Sequence, residues 1–134
     1  MTASTTDLLE RARRRIHRVG PHELRGIVAE GGLIVDIRPD AQRREEGAFP
    51  GALIVERNVL EWRFDPTGTH RLPEVRGADQ PVVIVCSEGY ASSLAAASLA
   101  DLGYAQAGDL VGGYRAWQAW FESAGEAERR GASS

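Results

Sequence analysis

Residues 82–93 read VVIVCSEGYASS, and this stretch decides how the rest of the chain is interpreted. Four β-branched apolar residues lead directly into Cys86, the single cysteine of the sequence. A short loop around Gly89 follows, and two serines then open an alanine- and leucine-rich segment. This pattern predicts a buried strand, a tight loop and a helix. The thiol then lies at the carboxyl end of a strand and the positive end of a helix, where α/β sheets bind ligands and a thiolate is stabilised.

The bulk composition fits one globular domain of 134 residues, with 43% hydrophobic and 26% charged residues. A net charge of −3 gives no general attraction to nucleic acid. The basic residues are all arginine, which excludes lysine-based Schiff-base chemistry. The apolar runs are too short to span a bilayer, and the first residues have no pattern of a secretory signal. Because a lone cysteine favours a reducing compartment, we expect a cytoplasmic protein without membrane or nucleic-acid partners.

Further apolar segments resemble strands, and helical patterns lie between them. The alternation predicts an α/β fold with about five mostly parallel strands and helices on both faces of the sheet. In the connection from Phe64 to Gln80, the apolar residues show neither the spacing of a helix nor that of a strand. The predicted strands are 16–19, 33–37, 53–55, 82–85 and 107–111.

We expect a single domain over residues 16–125. Residues 1–15 form an N-terminal helical segment, and residues 126–134 form a mobile, charged tail after Gly125 ends the last helix. The arginines at 11–18 could form a patch for an acidic partner, but no aromatic residues are interleaved with them. The solvated face of a helix is therefore the favoured interpretation.

Cys86 is the leading candidate for chemistry. A loop that curls around the sulfur can direct several backbone N–H groups at it, and the dipole of the following helix lies behind them. Gly89 suits the positive φ that such a loop needs, and Ser92 or Ser93 can cap the helix. The alternative is that Cys86 is a small buried hydrophobic residue at a strand end.

Four segments, in this order and spacing, resemble the motifs of single-domain rhodaneses, the sulfurtransferase family. The resemblance covers about residues 16–124 and implies a single rhodanese-like domain. The segments are IVDIR at 34–38, GAFPGA at 47–52, CSEGYAS at 86–92 and GGYRAW at 112–117.

The resemblance implies that Cys86 takes sulfur from a small donor and holds it as a persulfide. A thiol or cyanide-like acceptor, or an acceptor protein, then receives the sulfur. Asp36 and Arg38 would hold the neighbouring loops, with Asp36 as a hydrogen-bond acceptor. No cofactor is implied, and the three histidines show no metal-ligand spacing with the cysteine. The backbone amides that would stabilise the sulfur belong to Ser87, Glu88, Gly89, Tyr90, Ala91 and Ser92.

The loop departs from the family pattern in its charge. Family members that use thiosulfate often carry cations where this chain has Ser87 and Ala91, and Glu88 adds a negative charge. A carboxylate there disfavours a thiolate and repels a dianion, so thiosulfate is a doubtful donor. Arg57 or Arg63 could compensate, Arg57 by pairing with Glu88 or by meeting an anionic donor. The alternative for Arg57 is an ordinary ion pair with Glu56 or Glu61.

Two other functions stay open. A non-catalytic rhodanese-like module could bind a partner or sense persulfide or oxidant. A cysteine phosphatase or arsenate reductase ranks low, because its loop would end in an arginine that grips the oxyanion. The residues at that position here are Ala91, Ser92 and Ser93.

Overall fold

The computed structural model describes residues 2–132, with side chains through residue 128. Its five strands form one sheet in the order β1-β5-β4-β2-β3, and every neighbouring pair is parallel. This confirms the predicted α/β fold and the strand count. The strands are β1 (His17–Val19), β2 (Leu33–Asp36), β3 (Leu53–Ile54), β4 (Val82–Val85) and β5 (Ala107–Leu110).

Helices connect the strands and cover the sheet. The long stretch between the fourth helix and β4, which has no sequence period, contains neither helix nor strand. Among the helices of residues 2–132, none is both long and apolar enough to cross a bilayer. The helices are α1 (Thr5–Arg13), α2 (Leu24–Ala29), α3 (Asp40–Glu46), α4 (Leu60–Phe64), α5 (Ala91–Asp101) and α6 (Gly113–Ala132), with short 3-10 turns at Pro21–Glu23 and Arg57–Val59.

The central strand β4 is buried on both faces, which explains its unbroken apolar run. Val82 and Ile84 belong to the larger core cluster, which includes Leu99 of α5. Val83 and Val85 belong to the second cluster, which includes Tyr114 of α6. Burial on both faces fixes β4 in the middle of the sheet and holds its carboxyl end, where Cys86 follows, rigidly in place.

The first helix lies within the N-terminal segment that the sequence predicts to be helical. Ser4 is its N-cap and forms a capping box with Asp7, so the helix starts at Thr5. Ala12 is buried, and α1 packs against α5. This packing places Arg13, the last residue of α1, beside the cysteine loop.

The last helix is longer than predicted. We expected Gly125 to end it, but α6 continues to Ala132, so that prediction is wrong. The mobility of residues 126–132 stays a prediction. One glycine inside a helix costs only about 1 kcal/mol relative to alanine, and the following Glu126, Ala127 and Glu128 favour helix. Residues 133 and 134 of the predicted tail lie outside the described residues. The domain limits at 16 and 125 stay predictions.

Candidate active site

Cys86 follows β4 directly and is 8% exposed. Its Sγ atom accepts two backbone hydrogen bonds, from the N–H of Gly89 at 3.2 Å and from the N–H of Ser92 at 3.4 Å. Ser92 lies in the first turn of α5, so the sulfur also lies at the positive end of that helix. The arrangement stabilises negative charge on the sulfur through amides whose positions are set by the fold.

Gly89 allows the loop to curl around the sulfur. Its φ is +89°, which confirms the left-handed conformation expected from the sequence. A Cβ at this position would lie 2.8 Å from the backbone nitrogen of Gly112. The loop is therefore packed directly against the start of α6, and a side chain at position 89 would separate them.

The first turn of α6 holds the other side of the loop. The N–H of Tyr114 donates to the carbonyl of Cys86 at 2.8 Å, and the N–H of Arg115 donates to the carbonyl of Ser87 at 3.2 Å. Gly113 has φ +63°, and a Cβ there would lie 2.4 Å from the carbonyl oxygen of Cys86. Two helices, α5 and α6, thus direct their N-terminal ends at one short loop.

Asp36 and Arg38 form a buried ion pair behind the neighbouring loop, each 1% exposed. Asp36 accepts from the backbone N–H of Arg38 at 3.0 Å and from its Nη2 at 2.7 Å. The same guanidinium donates to the carbonyl of Gly47 at 2.9 Å and lies 4.1 Å from the ring centre of Tyr114. The pair therefore ties β2 to the turn after α3 and to α6, a supporting position.

Glu46 links this pair to the cysteine loop. Its Oε1 accepts from Arg38 at 3.1 Å and from the hydroxyl of Ser87 at 2.9 Å, and its Oε2 accepts from Arg115 at 3.4 Å. Partial burial alone would raise the pKa of Glu46, but the hydrogen bonds from Ser87, Arg38 and Arg115 hold it below its usual value. Glu46 is therefore a fixed negative charge that orients the residue after the cysteine.

The proposed pairing of Arg57 with Glu88 is wrong. Arg57 pairs with Glu61, one helical turn away, at 3.0 Å, which confirms the alternative of an ordinary ion pair. Glu88 is 57% exposed at its side chain, and the cation nearest it is Arg115, with Nη1 at 4.0 Å from Oε1. Arg63 donates to the carbonyl of His70 instead.

Arg57 nevertheless lines a groove of about 400 Å³ at the carboxyl ends of β2 and β3. Ile37, Arg38 and Asn58 line the same groove. A role for Arg57 toward an anionic donor stays a prediction.

A second buried charge, which was not predicted from the sequence, lies behind the cysteine loop. Asp109 of β5 is 0% exposed. Its Oδ2 accepts from the hydroxyl of Ser92 at 2.7 Å and from that of Ser93 at 2.8 Å. The expectation that Ser92 or Ser93 caps α5 is wrong, because the helix begins at Ala91 with Tyr90 as its N-cap and has no side-chain cap. Both hydroxyls donate to the carboxylate instead. An aspartate inside the apolar strand AGDL was the available signal, since a buried charge needs partners.

Two arginines from the N-terminal part of the chain complete this cluster. Arg18 of β1 donates to Asp109 Oδ1 at 3.0 Å and to the carbonyl of Gly89 at 3.0 Å. Arg13 of α1 donates to the same carbonyl at 2.9 Å and to the hydroxyl of Ser93 at 3.1 Å. The carbonyl of Gly89 thus accepts from two guanidinium groups.

The comparisons with known proteins agree with this geometry. The family model of the rhodanese-like domain matches residues 20–119. The thiosulfate sulfurtransferase GlpE of Ectopseudomonas mendocina is 29% identical over 106 residues, which cover 79% of this chain and 88% of that protein. GlpE of Pseudomonas putida is 33% identical over 94 residues, covering 69% of this chain and 74% of the relative.

Solved structures give the same result. A Rhodopseudomonas palustris protein of unknown function, described as a possible tyrosine phosphatase, superposes with a TM-score of 0.78 at 28% identity, over 88% of this chain and 91% of that one. A human single-domain sulfurtransferase superposes with a TM-score of 0.62 at 27% identity, over 75% of this chain and 94% of that one. On its matched residues, its parallel sheet and its cysteine loop, the chain belongs to the family of rhodanese-like domains.

Proposed function

We propose that the protein is a sulfurtransferase that carries sulfane sulfur as a persulfide on Cys86. The observation that carries the proposal is the pair of backbone N–H groups, from Gly89 and Ser92, that meet Sγ at the N-terminal end of α5. These groups favour the thiolate, which is the nucleophile, and they remain in place for a charged adduct. The names of the GlpE relatives support the same reaction class.

The reaction has two steps. The Cys86 thiolate attacks the transferable sulfur of the donor, and a new sulfur–sulfur bond forms. The bond from that sulfur to the rest of the donor breaks, and its electron pair leaves with sulfite in the case of thiosulfate or with the enolate of pyruvate in the case of mercaptopyruvate. An acceptor thiolate then attacks the outer sulfur of the persulfide, and the electron pair of that bond returns to Cys86 as thiolate. No net oxidation occurs across the cycle, and no metal or organic cofactor is needed.

The charges at the loop mouth bear on which donor is used. Glu88 is exposed there, and Arg115 lies close enough to offset part of its field. The guanidiniums of Arg13 and Arg18 donate to a carbonyl and a carboxylate behind the loop, so they do not face an incoming donor. We therefore expect a donor with less negative charge than thiosulfate, such as mercaptopyruvate, to react faster with Cys86.

The test is intact-protein mass spectrometry after exposure to thiosulfate or to mercaptopyruvate. One added sulfur atom on the protein, absent from Cys86→Ser and discharged by cyanide or a thiol, would support the proposal. A protein that acquires no sulfur from either donor, while Cys86→Ser still binds a partner as the wild type does, would favour a non-catalytic binding or sensing module.

A phosphatase is the second enzyme class to be tested, because the Rhodopseudomonas palustris structure is described as a possible tyrosine phosphatase. The loop from Cys86 to Ser92 carries no arginine, and the two arginines beside it bind the loop from behind. The loop itself therefore offers no arginine that could bind a phosphoryl group with two hydrogen bonds. Phosphatase activity abolished by Cys86→Ser would overturn the sulfurtransferase proposal.

A further inference from the structure

We infer that Asp109, Arg18 and Arg13 form a positioning cluster that fixes the amide cradle of Cys86 from behind and adds the positive charge that the loop itself lacks. The relevance of the cluster to sulfur transfer rests on the proposed function. The effect of the cluster on the reactivity of the thiol does not depend on the proposed function, so thiol alkylation and sulfur uptake test the two separately. None of the three residues is a catalytic residue, since each acts through the loop.

The cluster holds both residues that contact the sulfur. Ser92 gives its N–H to Sγ, and its hydroxyl is bound at 2.7 Å to the buried carboxylate of Asp109. Gly89 gives its N–H to Sγ, and its carbonyl is bound by Arg13 at 2.9 Å and by Arg18 at 3.0 Å. Each amide contact therefore belongs to a residue whose other polar group is anchored on the far side of the loop.

The anchors are themselves joined to one another. Arg18 binds Asp109 and Gly89 at once, and Arg13 binds Ser93 and Gly89 at once. The planar guanidinium suits such double contacts, which an ammonium group makes less well. Asp109 is fully buried and the two arginines are partly buried, so the network holds its geometry better than an exposed ion pair would.

The cluster also carries an excess of charge. Two guanidiniums face one carboxylate, which leaves one net positive charge behind the amides of Gly89 and Ser92. On the other side of the loop, Arg115 pairs with Glu88 and Glu46, and Arg38 also donates to Glu46. Positive charge close to the loop favours the thiolate of Cys86. Arg13 and Arg18 both precede residue 20, where the match to the family model begins.

The test is the pH dependence of Cys86 alkylation by iodoacetamide, measured by mass spectrometry on the full-length protein. We expect Arg13→Met and Arg18→Met combined to move the midpoint of the alkylation profile upward by about 0.5 to 1 pH unit and to slow alkylation at pH 7 about threefold to tenfold. Asp109→Asn removes the opposing negative charge and keeps both arginines, so the charge argument predicts no upward shift of the midpoint. The loss of the carboxylate that holds Ser92 is expected to slow persulfide formation.

The matched control is Arg11→Met combined with Arg14→Met, which removes the same charge from exposed positions of the same helical segment. Thermal unfolding of each variant identifies any variant that fails to fold. If the double variant fails to fold, Arg13→Met alone, at the end of α1, replaces it in the alkylation experiment. An unchanged alkylation profile in the folded arginine variants, or an equal shift in the control, would overturn the proposal. A shifted profile in a protein that takes up no sulfur would keep the cluster and overturn the proposed function.

Discussion

The backbone N–H of Tyr114 donates to the carbonyl oxygen of Cys86 at 2.8 Å, so the residue that carries the thiol is bound to the first turn of α6. The contact is close because Gly113, with φ +63°, leaves no Cβ between the helix and the loop. The position of the sulfur along the sheet is thus set by a segment that follows it by almost thirty residues in the sequence, on the other side of β5.

Gly113→Ala is expected to disturb this contact. The new Cβ would have to share space with the Cys86 carbonyl, and a non-glycine residue at this φ costs about 1–3 kcal/mol. Gly51→Ala is the matched control, since Gly51 has φ +80° but open space around its Cβ position. Urea unfolding should show both variants destabilised, while persulfide formation on Cys86 should slow in Gly113→Ala alone. Equal rates in the two variants would contradict the proposed role of the contact.

Arg38→Met should strongly destabilise the protein, because Arg38 is a buried charge. It leaves the buried Asp36 carboxylate without its partner, which typically costs about 3–5 kcal/mol. Arg44→Met is the control, because its ion pair with Asp40 is exposed on both sides. The free energy of unfolding measured in urea should fall strongly for Arg38→Met and change little for Arg44→Met. A small loss for Arg38→Met would mean that Asp36 finds water or another donor.

Glu46 gives a pH dependence with a definite sign. Its pKa is lowered in the folded protein despite burial, because Ser87, Arg38 and Arg115 bind its ionised form. Its contribution to stability is therefore complete above the unfolded pKa of about 4.3 and is lost as the pH falls through the lower folded value. Glu46→Gln should be less stable than wild type by about 1–2 kcal/mol at pH 7, and the difference should shrink below about pH 4. A difference independent of pH would exclude this charge-based explanation.

Glu88 and Arg115, the ion pair at the loop mouth, should change the rate at which Cys86 reacts with charged donors. Glu88→Gln removes one negative charge near the site, so we expect thiosulfate to react about twofold to fivefold faster, with the gain screened by salt. Arg115→Met removes the opposing charge and should slow the same reaction by a similar factor. Single-turnover persulfide formation at low and high ionic strength measures both. Effects of the same sign in the two variants would show that charge is not the cause.

Local patterns were sufficient for the fold and for the thiol. The apolar run of β4 predicted a strand buried on both faces, and Gly89 predicted the positive φ of the loop, because each depends on residues close in sequence. The ion pair of Arg57 also depends on residues close in sequence. Glu61, one helical turn away, is its partner, and the more distant Glu88 is not.

The support of the loop could not be predicted in the same way. Arg18 meets Asp109 only because β1 and β5 are neighbours in the sheet, and Arg13 meets Gly89 only because α1 packs on α5. Ser93 was expected to cap α5, but the helix begins at Ala91, so Ser93 lies inside the first turn and its hydroxyl donates to the buried carboxylate of Asp109. The end of α6 was misplaced because a glycine signals a helix end only when the backbone turns there, and at Gly125 it does not.

The helix α1 and the strand β1 lie before the segment that matches the family model, yet Arg13 and Arg18 reach the cysteine loop from them. A protein shortened to residues 20–119 would keep the thiol, both amides and the glycines that shape the loop. It would lose an edge strand and both guanidiniums that bind the Gly89 carbonyl. The smallest unit that keeps every described contact to the cysteine loop therefore extends beyond residues 20–119, and its amino-terminal limit lies no later than α1.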